Sequence, residues 1–114
     1  MVTMRQIKEF SRDLVREFYP HKVILFGSYA RGTATPDSDV DLMVVLPFEG
    51  KSVFKSLEIR LKLRPGFPMD LIVRTPENVQ KRLEIGDGFM REVLDEGKVL
   101  YEADHCRVDC QGRG

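Results

Sequence analysis

The sequence predicts an α/β layered domain, and three observations carry the prediction. Short apolar runs at residues 23–26, 39–46 and 67–73 alternate with longer segments whose apolar residues recur at helical spacing. Turn-forming residues punctuate the joins, at Pro20, at Pro47 and Gly50, and at Pro65 and Gly66. The chain has 114 residues, 42% apolar and 32% charged, which suits a single small globular domain and excludes a disordered chain.

The elements follow in order. Thr3 caps a first helix, with Gln6 at the reciprocal capping-box position. Ile7, Phe10, Leu14 and Phe18 form its apolar stripe, and Arg5, Lys8, Glu9, Arg12, Asp13 and Arg16 fill the other face. Tyr19, Pro20 and His21 end it, and His21 reads as an ordinary connector. Residues 23–26 are too short and too β-branched for a helix and form a buried strand. Residues 39–46 form a second strand. Val40, Leu42, Val44 and Leu46 make one side apolar, while Asp39, Asp41, Met43 and Val45 turn the other from acidic to apolar.

Val53, Phe54, Leu57 and Leu61 are the stripe of a second long helix, closed by Pro65 and Gly66. Residues 67–73 return as a third strand carrying Asp70. Thr75 and Pro76 open further helical turns through Val79 and Leu83, then through Phe89, Val93 and Leu94, with Gly97 as C-cap. Gly86, Asp87 and Gly88 form a joint that could swing the last helix over a cleft. Val99, Leu100 and Tyr101 add a short strand or an extended tail. Phe10, Phe18, Phe54 and Phe89 stand at core spacing. Residues 1–103 are expected to form the domain, and 104–114 a flexible, inert tail whose His105, Cys106 and Cys110 lack a complete metal-ligand set.

Lysines plus arginines equal aspartates plus glutamates at 18 each, so there is no general attraction to nucleic acid and direct binding to it is not expected. Lys55, Arg60, Lys62 and Arg64 read as a solvated basic face. No apolar run approaches the roughly 18 residues of a membrane span, and the N-terminus lacks a secretory pattern. Two cysteines close together near the end cannot staple a core, so the cytoplasm is the expected compartment.

Chemistry concentrates at two strand ends. Gly27 and Ser28 follow the first strand, and Asp39 and Asp41 open the second. Carboxylates spaced i,i+2 in a strand share a face and repel, an arrangement that suits a cation between them. If the third strand neighbours the second, Asp70 joins them, and the triad could hold one or two Mg²⁺ ions of the kind used in phosphoryl transfer. Asp70 is also placed to orient or deprotonate an attacking hydroxyl. Gly27 allows close backbone approach, Ser28 can donate to a phosphate, and Arg31 can add charge-assisted bonds.

The run from Gly27 and Ser28 to Asp39, Val40 and Asp41 resembles the signature of the nucleotidyltransferase superfamily of DNA polymerase beta. Chain length and the wording Phe26, Gly27, Ser28, Tyr29, Ala30, Arg31, Gly32 resemble its small minimal nucleotidyltransferases. The resemblance implies the nucleotidyltransferase fold, a small mixed sheet packed against helices. It implies Gly27 and Ser28 on the triphosphate and Asp39, Asp41 and Asp70 as the metal-binding catalytic triad. It further implies ATP as donor, a HEPN-domain toxin encoded nearby as partner, and AMP transfer to a toxin tyrosine, the transferase being the antitoxin. Two alternatives stand beside it. One is an antitoxin-like subunit acting by contact alone, and the other a transferase subunit for a small-molecule or RNA acceptor. A homo-oligomer is also compatible with so small a chain.

Overall fold

The computed structural model describes residues 1–103, so the expected tail with His105, Cys106 and Cys110 lies outside the described residues. The order is α1 (Met4–Phe18), β1 (Lys22–Phe26), α2 (Ser28–Arg31), β2 (Val40–Val45), α3 (Ser52–Leu63), β3 (Met69–Arg74), α4 (Pro76–Glu84), α5 (Gly88–Glu96) and β4 (Lys98–Glu102). The strands form one mixed sheet in the order β3-β2-β1-β4. β1 runs antiparallel to β2 and β4, while β2 and β3 are parallel. β4 is therefore a true strand, not an extended tail. No helix among the described residues is long and apolar enough to cross a membrane.

Helices cover both faces. On one face α1 contributes Ile7, Phe10 and Leu14, and α3 contributes Ile59, to a core with Val23 and Leu25 of β1 and Val40, Leu42 and Val44 of β2. On the other, Met90 and Val93 of α5 pack on Ile24, Met43 and Val45, with Val79 and Leu83 of α4 alongside. Strand alternation sends successive residues to these two layers. α1 begins with the expected capping box: the Thr3 hydroxyl accepts the Gln6 N–H at 3.2 Å, and the Gln6 side chain accepts the Thr3 N–H at 2.8 Å. Thr75 caps α4 similarly, accepting the Asn78 N–H at 3.1 Å.

The expected stripe of α3 is not where its apolar residues go. Val53, Phe54, Leu57 and Leu61 face solvent, Phe54 being 65% exposed. The cause lies in β3, an edge strand whose outward carbonyls need donors. Ser56 Oγ donates to the Leu71 carbonyl at 3.0 Å and Arg60 Nη2 to the Met69 carbonyl at 2.6 Å. Arg74 Nη1 donates to Ser52 Oγ at 3.3 Å and to its neighbour's carbonyl, that of Val73, at 2.8 Å. Ser52, Ser56 and Arg60, at i, i+4 and i+8, thus turn the polar side of α3 toward the sheet edge. The apolar arc is left outward.

Candidate active site

β1 ends at Phe26, and the chain then turns at Gly27 with φ 75° and ψ −153°, a conformation open essentially only to glycine. A Cβ at Gly27 would collide with the Asp41 Oδ2 carboxylate oxygen. The glycine therefore lets the turn and the carboxylate occupy adjoining space. Ser28 to Arg31 make the single turn of α2, which Gly32 closes at φ 80°. The connection then runs to β2, with Thr35 and Ser38 bonding each other across its bend: the Thr35 N–H donates to Ser38 Oγ at 2.9 Å.

Register places the acidic residues. In the parallel β2–β3 pair Asp41 stands directly beside Asp70, and in the antiparallel β1–β2 pair it stands directly beside Phe26. Asp70, Asp41 and Phe26 therefore form one row across three strands, on the α4 and α5 face. Asp39 was expected inside the strand. It lies just before β2 begins at Val40, because pairing opens where the Val40 N–H donates to the Pro68 carbonyl at 3.0 Å. Asp39 and Asp70 are exposed and Asp41 half-buried.

Burial pushes the Asp41 carboxyl above its ordinary 3.8, and the negative charges of Asp70 and Asp39 push it further, while Arg31 pulls the other way. Arg31 is the expected phosphate-binding cation. Its Nη1 lies 4.0 Å from a Glu92 carboxylate oxygen and 3.9 Å from one of Glu96, both on α5. The two glutamates were not singled out by sequence reasoning. Their i,i+4 spacing on α5 was visible, but what they would face was not. Lys55 and Lys62, from the basic group on α3, sit over the Phe18 ring at 5.4 and 5.8 Å, away from the acidic row. Arg60 is committed to the sheet edge.

A cluster of carboxylates with hard oxygen donors, strained by mutual repulsion, fits a hard divalent cation. Asp41 and Asp70 as register neighbours, with Asp39 two residues before Asp41, are the residues that would hold it. As the side chains stand, no three His, Cys, Asp or Glu groups among the described residues converge on one point, so closure on an ion requires rotation about their side-chain bonds.

The family model for the nucleotidyltransferase domain matches residues 4–100. The chain belongs to the nucleotidyltransferase family. The transferase is 39% identical over 99 residues to a Methanocaldococcus jannaschii protein provisionally named a protein adenylyltransferase, covering 85% of this chain and 96% of that one. It is 32% identical over 81 residues to the protein adenylyltransferase MntA of Thermococcus cleftensis, covering 66% of this chain and 81% of the relative. Among solved structures, a nucleotidyltransferase assignment from Sulfolobus solfataricus aligns with TM-score 0.63 at 20% identity, over 89% of this chain and 81% of that chain. The MNT antitoxin complex with the tri-AMPylated HEPN toxin of Shewanella oneidensis aligns with TM-score 0.56 at 18% identity, over 97% and 86%. At these identities the two structures establish a shared fold.

Proposed function

We propose that this transferase moves AMP from ATP to a tyrosine hydroxyl of a HEPN-type partner, with Mg²⁺ at the acidic row, and thereby acts as an antitoxin. The observation that carries the proposal is the adjacency of Asp41 and Asp70 at the strand ends beside the glycine turn. Relatives named as protein adenylyltransferases support the protein acceptor, and a fold neighbour held in complex with an AMPylated HEPN toxin supports the partner class.

In this reading Asp39, Asp41 and Asp70 hold the cation, which would supply charge neutralisation on the triphosphate and the departing pyrophosphate. Gly27 and Ser28 bring backbone and hydroxyl donors to the phosphates, and Arg31 exchanges its glutamates for phosphate oxygens. The acceptor oxygen attacks the α-phosphorus. A new P–O bond forms, the bond to the β-phosphate bridge breaks, and pyrophosphate leaves. Asp70, the exposed member of the row, takes the hydroxyl proton or orients it.

The test is to incubate the purified chain with Mg²⁺, α-labelled ATP and the helical protein encoded beside it, next to an Asp39→Asn, Asp41→Asn double variant. Label on the partner, absent with the variant, is the expected result. Label on a small molecule or RNA in place of the partner would reassign the acceptor. A second reading, neutralisation by contact alone, is favoured by one observation: the outward apolar arc of Val53, Phe54, Leu57 and Leu61. Tight partner binding with no label transferred from any nucleotide would select it.

A further inference from the structure

The acidic row accounts for phosphates and leaves the nucleotide's base without a seat. We propose that Phe89, backed by Phe26, is the platform on which a purine base stacks. This rests on the nucleotide reading above. Phe26 is the third member of the row that begins with Asp70 and Asp41, and it directly precedes the glycine turn. The Phe89 ring meets it edge-on, with centroids 5.8 Å apart and planes at 85°. An aromatic surface thus adjoins the carboxylates on the same face of the sheet.

Phe89 is 48% exposed, although it was expected in the core. Its neighbours Met90 and Val93 are the residues of α5 that pack into the second layer. The turn that carries Phe89 is tied by hydrogen bonds. Asp87 accepts the N–H groups of Phe89 and Met90 at 2.9 and 3.2 Å, and Arg82 Nη1 donates to the other Asp87 oxygen at 3.2 Å. Those bonds hold the Asp87 carboxyl below its ordinary value, the Met90 N–H contributing most. Further along the same helix, Glu92 and Glu96 reach Arg31, so α5 spans from the aromatic pair to the phosphate-side cation. A half-exposed aromatic side chain on a capped helix loses little freedom on stacking. Stacking tolerates any base and favours the larger purine ring system.

Calorimetric titrations of ATP, CTP and inorganic tripolyphosphate, each with Mg²⁺, into native, Phe89→Leu and Phe89→Tyr chains test this. Leucine keeps apolar volume without a π-face, so the variant retains its packing, and a melting curve checks that it does. ATP affinity is expected to fall roughly 5- to 100-fold in Phe89→Leu and to recover in Phe89→Tyr. Tripolyphosphate affinity is expected to hold in all three, and native chain to prefer ATP over CTP. Equal ATP binding by native and Phe89→Leu, or equal losses for ATP and tripolyphosphate, overturns the platform while leaving the acidic site standing. Native chain that binds neither ATP nor tripolyphosphate overturns the nucleotide reading itself and the platform with it.

Discussion

On the α1 and α3 side of β2, Val40, Leu42 and Val44 are all buried, as is Leu46 just past the strand, whereas on the opposite side the strand opens at half-buried Asp41 and becomes apolar only at Met43 and Val45. The two faces differ in the same way across the whole sheet. The first is a continuous layer reaching from Ile7 to Val73, and the second is a smaller layer around Met90 and Val93 that gives way to the acidic row at one end. The alternation of a strand lets one set of residues anchor the backbone while the other set carries charges that repel each other. Asp41 is held in an unfavourable place by its own neighbours, Val40 and Leu42.

Substitutions on the two faces should have unequal consequences. Leu42→Ala removes a fully buried side chain from the first face and should cost about 2–5 kcal/mol in urea denaturation. A loss below about 1 kcal/mol would mean that this face does not carry the stability. Gly27→Ala should cost about 1–3 kcal/mol through its backbone conformation alone. It also forces the Asp41 carboxylate aside, so transfer activity should fall further than the lost stability explains.

Asp41→Asn should instead stabilise the metal-free protein at neutral pH. The native carboxyl titrates above 3.8, so the folded chain keeps its proton after the unfolded chain has lost it, and native stability declines as pH rises through that window. Melting curves of the two chains should coincide in acid and separate above it, the asparagine variant melting higher. A variant that melts lower at neutral pH would show that Asp41 is not repelled. The smallest effect belongs to Leu57→Ala on the outward arc of α3, within about 0.5 kcal/mol. A cost comparable to Leu42→Ala would place that arc inside a packed interface of the isolated protein.

Much of this was legible in the residues. The Thr3 and Gln6 box, the alternation of β2 and the two carboxylates at its start follow from local chemistry, and the adjacency of Asp41 and Asp70 follows if β2 and β3 are neighbours. What escaped was the identity of the opposing surface. Helical spacing reports that Val53, Phe54, Leu57 and Leu61 share an arc, not that the carbonyls of Met69 and Leu71 claim the other side through Arg60 and Ser56. Phe89 has core spacing within α5, yet its ring ends beside Phe26 at the rim of the second layer. The ion pairs of Arg31 with Glu92 and Glu96 join elements some sixty residues apart in sequence, beyond the reach of any local pattern.

The most direct test of the central claim, that the acidic row performs nucleotidyl transfer, is single-turnover transfer of α-labelled AMP by native chain and by Asp41→Asn with saturating Mg²⁺ and partner. Rapid labelling is expected from native protein, and background labelling from a variant that remains folded and still binds the partner. Labelling by folded Asp41→Asn at a rate close to native would contradict it.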